Sequence, residues 1–229
     1  MTLDTTSLIT LTDSALEGGS ALSALAGQLA SMPTTGRGIA CAMSSTIVVV
    51  GSSPHEQRTM AQRSAALCAT GDLFCRSNLL TLPARENAQK LVSLLRMLDT
   101  NATLLDPVQY APITRGHALE AEPRLLHAKR FEQAALRGGV LVLAGGVGRT
   151  PEGETTSLGT GGAELSGLFV AQRLGIPVEL IVGQRAFENG GEGFELPKRA
   201  SLFARKHGVG YRVRGSLAVK PAKGVPVPA

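Results

Sequence analysis

The chain has 229 residues, 43% hydrophobic and 18% charged, which allows one large domain or two small ones with a real core and excludes general disorder. Aromatic residues make up only 3%, with no Trp, which argues against a stacking platform for single-stranded nucleic acid. The formal charge of +5 is partly local, because Lys198, Arg199, Arg205, Lys206, Arg212, Arg214, Lys220 and Lys223 crowd the C-terminal stretch. Such a crowd reads first as a solvated basic face and second as a site for acidic metabolites or an acidic partner.

In chain order, "SLITL" (7–11) predicts a first strand, and the leucines at 16, 22, 25 and 29 predict an amphipathic helix from about Ser20. "PTTGRG" (33–38) is a turn. "STIVVVGSSP" (45–54) is a continuous apolar run with a Gly-Ser-Ser-Pro stop, the pattern of a parallel strand covered on both faces. Residues 56–82 read as helical with an interruption at "ATGD" (69–72), and 84–98 as a further helix with Leu91, Leu94, Leu95 and Leu98 on one stripe. "ATLLDP" (102–107) is a short strand. A helix over 130–139 stops at Gly138-Gly139, and "VLVLAGG" (140–146) is a second buried strand.

After it comes "PEGETTSLGTGGAELSG" (151–167), with five glycines and no lysine or arginine, running into a helix from Ala163 or Glu164. A strand, helix and strand follow at 176–182, 198–208 and 209–215, with a polar loop over 185–196 between the first two. Strands alternate with helices and no hairpin signal is visible. The expectation is an α/β fold with a largely parallel central sheet, one domain over 1–215 and a flexible Pro-containing tail over 216–229.

Cys41, Cys68 and Cys75 form an odd set without CxxC spacing, which argues against a disulfide framework or zinc site and favours core packing. The four histidines have no metal spacing, and no metal site is expected. No secretory leader is read at the N-terminus, and no apolar stretch reaches the ~20 residues of a membrane helix, so the expectation is a cytoplasmic protein without membrane or nucleic-acid partners. No GxSxG elbow supports a serine hydrolase.

In open parallel sheets, ligands bind beyond the carboxyl ends of the strands. "VLVLAGG" leads to that edge, and the glycines before the next helix let backbone N–H groups approach an anion. The stretch "GGVLVLAGGVGRTPEGETTSLGTGGAELSGLFVAQRLG" resembles the aspartokinase branch of the amino acid kinase family, where "TTLGRGGSD" opens the helix. "ALCATGDLF" (66–74) is similar to that family's "TTGE" helix. "APITRGHALEAEPRLLHAKRFEQAALRGG" (111–139) follows the family's next stretch in order and spacing, and "ELPKRASLFARKHGVGYRVRG" (195–215) resembles its "LHPRAVEPARKYGVPIRVRS" pair. The resemblance covers most of 60–215. It implies a three-layer α/β/α sandwich and transfer of the ATP γ-phosphoryl group to the β-carboxylate of aspartate.

Four departures qualify that implication. The family's "KFGGTS" lysine has no counterpart in "SLITLTDSALEGG", whose nearest charged side chain is Asp13. The arginine of "LGRGGSD", a fork for a substrate carboxylate in the family, is Thr160 here, and one hydroxyl does not replace a bidentate charged pair. The aspartate of that motif is Glu164 and the "TTGE" glutamate is Asp72, so each acid changes length by one methylene. Finally, "ELIVGQRAFENGGEGFELPKRA" crosses directly an interval that in the family holds "TDVDGVYTADPR" and most of the nucleotide pocket. The regulatory domain that follows in most aspartokinases is not expected.

The resemblance therefore points to substrate-side residues Thr70, Gly71, Asp72, Ser157, Thr160, Gly161, Gly162 and Glu164, and to Ser52, Ser53, Gly145 and Gly146 for an anion. Catalytic residues stay unassigned. The leading expectation is a protein with lost or reduced kinase activity and a pocket for an amino-acid-like or anionic metabolite, without a cofactor, as a homodimer or a heteromer with a related enzyme. The alternative is an active kinase with a rebuilt Mg-ATP site, for which Arg149 or Lys198 would have to supply positive charge. A new, non-kinase reaction in the old pocket is the third reading. His117 falls in the family's variable substrate-side stretch and is read as a surface-loop residue.

Overall fold

A computed structural model describes residues 7–17, 21–31, 45–68, 71–183 and 194–215. Thr70, Cys41, the turn at 33–38, most of the 185–196 loop and the tail lie outside the described residues.

The elements begin with β1 (Ser7–Leu11), α1 (Ala21–Ser31), β2 (Ser45–Val50), α2 (Pro54–Leu67), α3 (Leu73–Met97) and β3 (Ala102–Leu105). Next come α4 (Pro107–Tyr110), β4 (Ile113–Arg115), β5 (Glu122–Leu125), α5 (Ala128–Ala135), β6 (Gly139–Ala144), β7 (Val147–Arg149) and β8 (Thr155–Ser157). The last are α6 (Gly162–Leu174), β9 (Val178–Val182), α7 (Lys198–His207) and β10 (Tyr211–Gly215).

Six strands form one parallel sheet in the order β10-β9-β1-β2-β6-β3. The apolar runs in β2 and β6 occupy adjacent central places, paired from Ser45↔Gly139 to Val50↔Ala144. Their alternate residues feed two separate cores. Ile47, Val49, Leu141 and Leu143 pack with Phe131, Leu168, Phe169 and Ala200 of α5, α6 and α7. Val48, Val50, Val140 and Val142 pack with Leu25, Leu29, Leu91 and Leu95 of α1 and α3. That is the three-layer α/β/α arrangement, and it explains why those strands carry no polar face.

Two features depart from the sequence reading. First, there is a hairpin. β7 and β8 pair antiparallel from Val147↔Ser157 to Arg149↔Thr155, and join β4 and β5 in a four-stranded second sheet. Strands of three residues are too short to show an alternation. Their turn is closed by Thr150 N–H donating to Glu154 O at 2.8 Å, with Gly153 at φ 102°. The first half of the glycine-rich stretch is therefore a hairpin turn, and only its second half faces the sheet edge.

Second, α3 runs unbroken through Pro83, where the sequence reading ends one helix and begins another. A proline in a helix interior costs about 3 kcal/mol. Burial of Ala84, Ala88, Leu91, Val92 and Leu95 along the same helix offsets it. No helix among the described residues is long and apolar enough to cross a membrane.

Candidate functional site

A cleft of about 240 Å³ opens at the carboxyl edge of the parallel sheet, where β1, β2 and β6 end. Its walls come from the β1 exit (Asp13), the β2 exit (Gly51, Ser52), the β6 exit (Gly145, Gly146), α3 (Leu80, Thr81, Ala84) and the loop into α6 (Gly159, Thr160, Gly162).

Each wall has a local cause. Thr12, just past β1, is tied to β9 by its backbone N–H and its hydroxyl, both donating to Ile181 O at 3.0 and 2.9 Å. A 3₁₀ turn over Asp13–Glu17 follows, so Asp13 turns into the cleft at a fixed point. Gly51 permits this approach, because a Cβ there would lie 2.5 Å from Asp13 Oδ1 and 2.8 Å from Ala163 Cβ. Ser53 caps α2: its hydroxyl accepts Glu56 N–H at 3.2 Å while Glu56 Oε2 accepts Ser53 N–H at 2.7 Å. Asn87 of α3 donates to Gly51 O and to Glu56 Oε2, fastening α3 to this corner.

The glycines at the start of α6 serve packing as well as access. A Cβ on Gly162 would meet Gly146 Cα at 2.8 Å, and one on Gly145 would meet Ala163 Cα at 2.9 Å. Helix α6 thus rests directly on the β6–β7 step, held by Gly146 N–H donating to Ser166 Oγ at 2.9 Å.

Glu164 lies in the first turn of α6 and is 3% exposed, and its Oε2 has no hydrogen-bond partner. Burial pushes its carboxyl up to about 8; the charge of Asp13 adds to this, and the backbone N–H groups of Glu164 and Asp13 oppose it. Asp13 is raised too, by burial first, against hydrogen bonds from Gln57 and the Ser52 backbone, with Glu56 adding repulsion. Both shifts favour the protonated forms of the two carboxyl groups.

Of the residues singled out in the sequence, Ser52, Gly145, Gly146, Ser157, Thr160 and Gly162 line the cleft. Glu164 is not on the cleft wall; it is buried, near enough to Asp13 for the two carboxyl groups to interact. Gly161 is the left-handed residue before α6 (φ 70°), packed against Pro197. Ser53 is occupied as a helix cap. Gly71 and Asp72 are exposed, and Asp72 caps α3 by accepting Cys75 N–H at 2.8 Å. His117 is exposed in the turn after β4.

Sequence reasoning missed Gln57, Leu119, Glu120 and the α3 wall, which reach the cleft only through tertiary packing. It read Arg199 only as one of the basic C-terminal crowd. That guanidinium donates to Glu120 O and Ala121 O at 2.9 Å each and to Leu158 O, so it clamps the cleft's rim to the β4–β5 turn. Arg149 lines a different cavity, and Lys198 is exposed at the start of α7. No lysine or arginine among the described residues lines the cleft.

The parallel sheet with its edge cleft is the fold of amino acid kinases. The structure matches aspartate kinase from Synechocystis with a TM-score of 0.67 at 20% identity, over 94% of this chain and 38% of that one. It matches E. coli aspartokinase III in complex with aspartate and ADP at 0.65 and 14% identity, over 92% and 62%. It matches an isopentenyl phosphate kinase at 0.57 and 12% identity, over 92% and 91%. In sequence, an aspartokinase from Thermus thermophilus is 29% identical over 133 residues, covering 47% of this chain and 33% of that protein. The chain spans about one third of the length of the curated relatives it matches. No family model matches. The chain thus has the amino acid kinase fold, and part of it is similar in sequence to aspartokinases.

Proposed function

We propose that this aspartokinase-like domain has lost or strongly reduced ATP-dependent carboxylate phosphorylation and keeps its edge cleft for an amino-acid-like or anionic small metabolite. The observation that carries this reading is Asp13 on the cleft wall, in the segment where the family's lysine is missing, with the buried Glu164 close enough to interact with it. Phosphoryl transfer is catalysed mainly by positioning and by positive charge on the transferring group. A carboxylate ~5 Å from that group, at an effective dielectric constant of ~20, repels it by about 3 kcal/mol, where an ammonium attracts it by as much. Arg199, whose guanidinium lies beside Gly159, already serves three backbone carbonyls.

Ser52, Ser157 and Thr160 supply hydroxyls to the cleft, and the Asp13 carboxylate favours an ammonium group over a polyphosphate. The E. coli relative binds aspartate and ADP; this chain, on our reading, keeps the amino-acid side of that pair. Its role is then binding, regulation or partnership in the cytoplasm, as a homodimer or with a related enzyme. Exposed Leu67, Met97 and Leu98 offer apolar surface for such a contact. Isothermal titration with Mg-ATP tests the proposal: no saturable heat is expected. Micromolar binding with turnover over a panel of carboxylates, lost in Glu164→Ala, establishes the active kinase instead.

A further inference from the structure

A second cavity, also about 240 Å³, lies beneath the β7–β8 hairpin at the ends of β3 and β6. The β6–β7 step divides it from the first cleft: Gly145 and Gly146 face one, Ala144, Val147, Gly148 and Arg149 the other. Two guanidinium groups line it, Arg85 from α3 and Arg149 from β7. Arg85 donates from Nη2 to Thr155 Oγ1 at 3.1 Å, which orients its plane against the hairpin. The Nε of each arginine is buried without a protein acceptor. Guanidinium N–H groups are seldom buried unpaired, and two arginines on one cavity wall bring a donor set of the kind that matches an oxyanion.

The remaining walls set the ligand's character. Asp106 is the acidic residue on the lining, and it is exposed, with one oxygen already accepting Val108 N–H at 2.9 Å as the cap of α4. Two positive charges against one solvated negative charge leave the cavity with a surplus for a single anionic group. Leu104, Leu105, Pro107, Val108 and Val147 supply an apolar side. Burial lowers Arg85 from its ordinary value and Asp106 opposes that shift, so an anion closer than Asp106 would be favoured by the same electrostatics.

We propose that this cavity is a second binding site, for a small oxyanion held between the Arg85 and Arg149 side chains. It does not depend on the reading of the first cleft. An occupant would brace the hairpin from beneath, and the far end of the same hairpin, Ser157, lines the first cleft.

The test is a titration of the ¹⁵N-labelled protein with inorganic phosphate and, separately, with butyrate, following the arginine Nε–H resonances and the heat of binding. Saturable shifts at Arg85 and Arg149 are expected. A phosphate preference assigns the site to phosphorylated ligands, and a butyrate preference to aliphatic carboxylates. Arg149→Gln should weaken binding at least about tenfold. Arg149→Lys, which keeps the charge but loses the fork, should fall between, and it serves as the test if the Gln variant does not fold. Asp13→Asn, in the first cleft, should leave the saturation of the Arg85 and Arg149 shifts unchanged. The proposal is overturned by absence of saturation at millimolar concentration, by wild-type affinity in both Arg149 variants, or by an effect that follows Asp13 instead.

Discussion

Replacing Glu164 by Gln should flatten the dependence of folding stability on pH. The Glu164 carboxyl rises from an ordinary 4.5 to about 8 in the folded chain, chiefly through burial. Below about pH 4.5 both folded and unfolded chains carry the proton and the group is silent; above about pH 8 both have lost it and the folded chain bears the full desolvation of the charge. Stability from this group is therefore lost as pH rises between those limits. At about 1.36 kcal/mol per pH unit, the total approaches 5 kcal/mol, with about 3 kcal/mol already lost at pH 7. Glutamine cannot ionise, so its variant lacks this slope. It carries instead a fixed cost for a buried amide, about 1–3 kcal/mol, the same at every pH. Urea unfolding from pH 5 to 9 reads both terms: the wild type should lose stability across the range, and the variant should overtake it by pH 8. Parallel profiles would refute the reasoning, because they would mean that Glu164 meets a compensating charge or water when it ionises.

Three further substitutions test the scaffold of the cleft. Gly162→Ala places a Cβ 2.8 Å from Gly146 Cα, a backbone atom that cannot swing aside, so stability should fall by about 1–3 kcal/mol and the melting temperature with it. Ser53→Ala removes the α2 cap and should cost about 1 kcal/mol, seen as faster amide exchange in the first turn of that helix. Arg199→Ala frees three carbonyls at the rim, and the amides of Ala121 and Ser157, bonded to Ser157 O and Ala118 O, should exchange at least about tenfold faster. Arg199→Lys should not restore them, because a single ammonium does not reproduce the planar fork.

The central sheet was legible because burial on both faces leaves an unambiguous mark. From Ile47 to Val50 and from Val140 to Ala144 no polar residue interrupts the alternation between the two cores, and the glycine exits of both strands mark the edge at which the cleft opens. The hairpin was not legible, since three-residue strands hold too few positions to show a period and the surrounding glycines masked their edges. Pro83 misled for a different reason. A local rule for breaking helices was outweighed by a long buried stripe that only the packed sheet makes valuable. The cleft was half legible. Ser52 and Gly145 follow from strand exits and Thr160 from the resemblance to the "LGRGGSD" motif, but Asp13 and Glu164 are distant in sequence and their meeting is a property of the fold.

The glycine-rich loop shows how the same residues serve two ends. Glycine beside a strand exit suggests close approach to a ligand, and here Gly162 and Gly145 do face the cleft. Their lack of a side chain is nonetheless demanded by protein: Gly146 Cα behind one and Ala163 Cα behind the other. A helix seated this tightly on the sheet keeps its N-terminus at the edge whether or not a phosphate is ever bound. The scaffold of the cleft can thus persist by packing alone, whatever charges surround it. That separates two inferences usually drawn together from such a loop. The glycines report the fold, whereas the chemistry is reported by the side chains around them, and in this chain those are Asp13 and Glu164 with Arg199 turned to the backbone.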